Sequence, residues 1–441
     1  MLVLCKVSIV FYLRGFLFFE NGWQKPMKID FSGLLLAVSY ALDCVEGELT
    51  GVSTGHAKRV ACCCTTMGRK LGMSDDELRD LAAFACLHDN ALTQYISEEL
   101  RAYHSQDVTS LRSHCLIGER NLQYFPFFTK HENVIMYHHE TADGKGPFGI
   151  QQADTPIMSQ LIHISDVVDV QCNLGNEDKD KYDDVSDFLE DTKGSVFSEK
   201  CVDLFLDSFS TQEMKGIAND DAERRLREII PSGMSDYSYQ DIINVMDIFA
   251  KIIDYKSEFT RLHSIGVARR AFHMGLRFGY SEEMCYRLYI AGALHDIGKM
   301  AINNDILEKP AQLTEKEYIY MQTHAYYTWK ILSQIDGFED MTRWASFHHE
   351  RLDGSGYPFG LGAEKLDTNC RLMSCIDIYQ ALGEERPYKK AMEHGEIIAL
   401  MKGMAEDGKI DADVVTEMDK GMRGFACDKD TFEKERRSIG K

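Results

Sequence analysis

Among 441 residues there are only 8 prolines and 3 tryptophans, and no two cysteines stand in a CxxC pair. Strand-like alternation of polar and apolar residues is nearly missing, which excludes an all-β sandwich and a parallel sheet built from βαβ units. No apolar run reaches the length of a membrane-spanning helix. The nearest, "VSIVFYLRGFLFF" from Val7 to Phe19, is short and is interrupted by Arg14. It also lacks a small-residue cleavage site and makes a poor signal peptide. Amphipathic sequence begins only after Met27, so residues 1–26 read as an extension: an upstream addition or wrongly assigned start, with a weak anchor as the minority reading. Basic residues are also short, with 49 Lys and Arg against 70 Asp and Glu, a net charge of −21. That excludes nonspecific binding to DNA or to an anionic membrane. An anionic substrate must then be held where metal, or clustered Arg and Lys, reverses the sign locally. The 13 cysteines have no regular spacing in a chain too long to need staples, and read as reduced thiols of a cytoplasmic protein. Cys62, Cys63 and Cys64 cannot aim three sulfurs at one ion from a helix, and are expected to be buried thiols.

What is present is helical periodicity. "DDELRDLAAFACLHD" and "SEEMCYRLYIAGALHD" place apolar residues at i, i+3 and i+4 behind a capping Ser and acids. The fold class is all-α. An internal repeat sets the architecture. "HHETADGKGPFG" from His138 returns as "HHERLDGSGYPFG" from His348. His56 to His88 and His263 to His295 are both 32 residues apart, and His114 to His138 and His324 to His348 both 24. Asp166 matches Asp377, and "EDTKGSVFSEKCVD" resembles "AEDGKIDADVVTE". The expected organisation is two tandem helical domains, 27–230 and 239–430, with a linker at 231–238 near Pro231 and a tail at 431–441.

The polar residues inside these apolar helices are a repeated set: His263, His295, Asp296, His324, His348, His349 and Asp377, with His56, His88, Asp89, His114, His138, His139 and Asp166 in the first copy. A single buried histidine is ordinarily a satisfied core residue. A whole set at matching spacing in two copies requires that coincidence twice. Imidazole and carboxylate without thiolate suit iron, manganese or similar ions rather than a structural zinc site. An Asp beside a His can bridge two ions, and such a pair can activate water against a phosphorus centre.

"HDIGK" at 295–299, "HHERLDGSGYP" at 348–358 and the downstream "RPYKKA" together resemble the HD-GYP branch of the HD phosphohydrolases. The resemblance covers 239–430. It implies a helical fold with a site for divalent metal, iron or manganese, and hydrolysis of cyclic di-GMP to linear pGpG and sometimes on to GMP. Carried over position by position, the seven His and Asp residues of the second copy are implied metal ligands. Lys299 would sit beside the scissile phosphate with Asp296, and Arg386 and Lys389 would hold phosphate oxygens. Three-metal members carry a Glu four residues before the first His; here that position is Phe259, with Glu258 one step off, so two metals are expected. Glu350 and Asp353 are expected to orient the imidazoles. The Gly-rich loop either makes a turn with Tyr357 packed on the core, or forms a lip whose ring meets a guanine or a partner protein.

The first copy departs from that pattern. It keeps all seven ligand types, but Leu92 stands where Lys299 does, "GYP" has shrunk to Gly146-Pro147, and no Arg-Pro-Tyr segment follows Asp166. A structural metal, an inactive domain used for dimerisation, and a second phosphatase of different specificity all remain open for it. For the second copy, hydrolysis of 3′,3′-cyclic GMP-AMP needs the same metals, and a non-catalytic cyclic dinucleotide sensor is the rival of another class. Retention of Lys299 argues against the sensor.

Overall fold

The computed structural model describes residues 26–50, 55–92, 108–175, 181–218, 221–230, 234–257, 262–385 and 390–436. Helices dominate, and the only named strands among the described residues are β1 (Met27–Ile29) and β2 (Ser235–Tyr237). The all-α expectation holds. Helix starts follow the local chemistry. Ser74 with Glu77 and Thr314 with Glu317 form reciprocal capping boxes, and Ser281 accepts from the Met284 N–H. Among the described residues no helix is long and apolar enough to cross a membrane. Val7–Phe19 lies outside them. The described cysteines are all free, and Cys62, Cys63 and Cys64 are buried as expected.

Each copy opens in the same way. A three-residue strand leads into a long first helix, Phe31–Thr50 or Tyr239–Tyr255. The second helix, His56–Lys70 or His263–Arg277, has no capping side chain of its own. A carboxylate of the first helix supplies the cap. Asp43 accepts from the Gly55 and Ala57 N–H groups at 3.0 and 2.9 Å, and Asp254 from the Ser264 N–H at 3.0 Å. The first ligand-type histidine of each copy therefore stands at a helix N-terminus pinned by its predecessor. In the second copy, His263–Arg277 packs against Glu282–Leu294 and Thr368–Gly383; in the first, His56–Lys70 packs against Asp75–Cys86 and Ile157–Cys172. Burying these seams is the main stabilising term, and Val267, Ala271, Phe272, Leu288 and Ile290 are fully enclosed.

The copies meet about a pseudo-two-fold axis. β1 and β2 pair antiparallel with Lys28 opposite Asp236, each the central residue of its strand; counted from the strand and first-helix starts the copies are offset by 208 residues, one more than at the first histidines. A second self-equivalent pair, Glu48 and Lys256, is joined by an ion pair at 2.6 Å. A true homodimer would face like charges at both places. A fused pair is free to oppose them. Two expected boundaries shift: Ser235–Tyr237 is a strand of this ribbon rather than free linker, and the Lys429–Arg436 helix crosses residue 430. The reason for the second is Phe432, which is buried against Phe272 and Tyr289 with ring centroids 5.2 Å from each.

Candidate metal centres

The helices deliver the second-copy ligands to one place. His263 comes from a helix N-terminus, His295 and Asp296 from the end of Glu282–Leu294, and His324 from within Glu315–Leu332. His348 and His349 follow the helix Glu339–Ser346, and Asp377 lies in Thr368–Gly383. The tautomers are fixed by backbone. His295, His324 and His348 each donate from Nδ1 to the carbonyl three residues back, Gly292 at 2.8 Å, Met321 at 2.7 Å and Ala345 at 2.5 Å. That leaves each Nε2 as a bare lone pair pointing inward. These three Nε2 atoms and Asp296 Oδ1 are buried without a hydrogen-bond partner. Such orphans are costly unless a cation meets them.

Asp296 lies between two half-sites. Its Oδ2 faces His295 at 3.2 Å and His263 at 3.8 Å; its Oδ1 faces His324 at 3.6 Å and His348 at 3.9 Å. Asp377 does the same on the other side, with Oδ1 at 3.1 Å from His263 and Oδ2 at 3.9 Å from His349. In each of the groups His263–His295–Asp296 and His324–His348–His349, one ligand atom per residue lies within 4.8 Å of the others. The donor set thus fits two cations sharing a bridging carboxylate. Burial opposes ionisation of Asp296, yet the His295 ring and the Lys299 ammonium hold its carboxyl well below the usual range. Lys299 Nζ reaches Asp296 Oδ2 at 2.6 Å. Burial and the His295 ring push His348 down to about 3, so it stays neutral and able to ligate. Burial also pulls on His263, but Asp377 and Glu384 outweigh it and push the ring up to about 10.

Lys299 stands on a short turn, Ile297–Ala301, that presses on its neighbour helix. A Cβ at Gly298 would fall 2.0 Å from the His324 carbonyl oxygen, so no side chain fits there. The Gly-rich loop is held differently from expectation. Glu350 accepts from the Phe359 and Leu361 N–H groups, both at 2.8 Å, and Asp353 accepts from Ser355 at 2.9 Å. Both carboxylates tie down loop backbone instead of orienting imidazoles. The Tyr357 ring lies 4.6 Å from the His349 ring and 6.2 Å from that of His324, at the edge of the candidate ligand set. Arg386, Lys389, Glu258 and Phe259 lie outside the described residues.

The first copy builds the same cradle. His88 and His138 donate to Ala85 and Ile135 carbonyls at 2.8 and 2.5 Å, leaving Nε2 bare. Asp89 lies 3.1 Å from His114 and 3.5 Å from His88, and Asp166 lies 3.4 Å from His56. His139 joins the His114 half-site. Leu92 repeats the turn of Lys299, its N–H bonded to the Asp89 carbonyl at 3.0 Å, without the ammonium.

Three carboxylates escaped the sequence reading. Glu384 accepts from His263 Nδ1 at 3.0 Å. Asp169 takes the equivalent bond from His56 at 2.7 Å and is itself gripped by Arg59 at 2.6 Å. The signal was available for Asp169, which follows Asp166 by about one helical turn. Glu46, raised by burial to about 9, lies 3.6 Å from His56 and forms a further metal-sized group with His56 and Asp89. Glu46 sits on a different helix, and no local pattern announces it.

Comparison with known proteins agrees with the doubling. The HD domain family profile matches residues 49–181 and again 247–414. The chain is 28% identical over 386 residues to the 3′3′-cGAMP-specific phosphodiesterase 1 of Vibrio cholerae, covering 85% of this chain and 89% of that protein. It is 34% identical over 147 residues to a cyclic di-GMP phosphodiesterase of Pseudomonas aeruginosa, 33% of this chain and 35% of that one. A crystal structure of a cyclic GMP-AMP specific phosphodiesterase of V. cholerae superposes with a TM-score of 0.62 at 22% identity, covering 91% of this chain and 99% of the other.

Proposed function

The chain belongs to the HD domain family, and we propose that its second copy is a metal-dependent cyclic dinucleotide phosphodiesterase. The reading is that it opens cyclic di-GMP to linear pGpG. One observation carries it: three backbone-fixed imidazoles with bare Nε2 atoms converge on a carboxylate that faces both half-sites, beside a lysine with no counterpart in the first copy. Two divalent cations, iron or manganese, would supply Lewis acidity and an activated water there. His263, His295, Asp296 and Asp377 would hold one; His324, His348, His349 and the other Asp296 oxygen would hold the second. Lys299, released from Asp296, stabilises negative charge on the scissile phosphate. Arg386 and Lys389 grip the remaining phosphate oxygens as uniform binding groups. Tyr357 offers a ring face to a base at the rim. A second reading, 3′,3′-cyclic GMP-AMP as substrate, is favoured by the relative that matches over 85% of the chain.

The test is turnover of the purified full chain against cyclic and linear dinucleotides, with Mn²⁺ or with Fe²⁺ under anaerobic conditions. Hydrolysis of a cyclic dinucleotide that needs metal is expected. Equal activity after chelation would reject the assignment, and preference between the two rings would decide the substrate.

A further inference from the structure

Resting on that reading, we infer that Glu48 of the first copy is a positioning residue for the catalytic turn of the second. The first helix of the N-terminal copy, Phe31–Thr50, packs directly on the Ile297–Ala301 turn and on Glu315–Leu332 across the copy boundary. The carboxylate of Glu48, near its end, divides between two partners. Oε2 pairs with Lys256 Nζ at 2.6 Å, and Oε1 accepts from the Asn304 N–H at 2.7 Å. The Lys256 side chain is 1% exposed and that of Glu48 22%.

Both partners lead straight to the site. Lys256 closes the Tyr239–Tyr255 helix, seven residues before His263. Asn304 follows Lys299 by five residues, through the fully buried Ile302. From its own copy the turn is held by Glu315–Leu332, with the Tyr320 hydroxyl donating to the Ala301 carbonyl at 3.4 Å, and it also packs on Tyr239–Tyr255. Thr328 Oγ1 accepts from the Gly298 N–H at 3.1 Å and donates to the His295 carbonyl at 2.9 Å. Glu48 is therefore a clamp from the first copy on the backbone just after the turn, which in the proposed reaction holds Lys299 at a phosphate. Small misplacements of such a group cost rate rather than affinity. The charge arrangement suits this role, because Glu48 and Lys256 occupy equivalent positions about the pseudo-axis, where opposite charges require two different copies in one chain. The N-terminal copy thereby contributes to catalysis without touching substrate.

Three variants of the full chain separate positioning from simple support. Glu48→Ala is expected to lower kcat about tenfold, leave KM and bound metal per chain unchanged, and speed deuterium exchange of the amides at 297–304 but not at 345–350. Glu48→Gln keeps an acceptor for the Asn304 N–H, and is expected to recover most of kcat and of the exchange protection. Lys256→Met breaks the ion pair while leaving that acceptor, and is expected to lower the melting temperature with kcat nearly intact. The proposal is overturned if Glu48→Ala retains wild-type kcat and exchange, if it loses metal, or if Lys256→Met depresses kcat equally. If the wild-type chain turned over no dinucleotide, the proposed function would fall, and the exchange comparison would still decide the clamp.

Discussion

In the proposed reaction Asp296 would concentrate the chemistry, because each of its oxygens faces a different set of imidazoles, 3.2 Å from His295 on one side and 3.6 Å from His324 on the other. An amide in its place keeps the shape and loses the bridging charge. Asp296→Asn is therefore expected to reduce bound metal and abolish turnover, measured by elemental analysis beside the assay; wild-type metal content and rate in that variant would remove Asp296 from the centre. Lys299→Ala is expected to lower kcat by roughly 10²-fold with little change in KM, since in the proposed reaction its charge would act on the transition state. His263 adds a pH signature. In the metal-free chain its raised value means that the pair with Asp377 gives full stability below about 6.5 and loses it as pH rises toward about 10. A cation needs the neutral ring, so binding must expel that proton. Metal affinity is expected to weaken as pH falls, with a binding enthalpy that depends on the buffer. Binding without proton release would contradict this.

At the level of elements, much of the site could be read from the sequence, and the exceptions share a cause. The doubled spacing of His56, His88, His138 and their partners picked out the imidazoles and aspartates that the helices bring together, because each repeat keeps the spacing between its elements. Glu46, Glu384 and the Glu48 clamp were invisible. Each acts on a residue of another element, and periodicity reports only which face of its own helix a residue occupies. Glu350 shows the complementary error, since adjacency to His349 suggested an imidazole partner where the loop backbone takes both oxygens. Gly356 explains why that loop closes so tightly: a Cβ there would fall 2.4 Å from the Glu350 Cα. Glu350→Ala frees two part-buried N–H groups, and a loss of about 2–4 kcal/mol is expected from the lost charged hydrogen bonds. Thermal unfolding measures it. A variant as stable as wild type would show that the loop is held by its aromatic contacts, Phe359 against Trp329 and Phe347, instead.

For the molecule as a whole, the two copies form an internal dimer whose axis is marked by opposite charges. Reversing Glu48 to Lys sets two ammonium groups together, and a cost on the order of 3 kcal/mol is expected for the broken pair. Combining Glu48→Lys with Lys256→Glu should restore most of the melting temperature; no recovery would mean that the pair is not coupled. Asymmetry within this frame is the central claim: both copies hold ligand sets, and one of them does the hydrolysis. The most direct measurement compares two double variants of the full chain for metal content, melting temperature and cyclic dinucleotide turnover. His88→Ala with Asp89→Ala is expected to lower metal content and stability while leaving much of the activity, and His295→Ala with Asp296→Ala to remove the activity entirely. Hydrolysis persisting in the second pair would contradict the account and place the enzyme in the first copy.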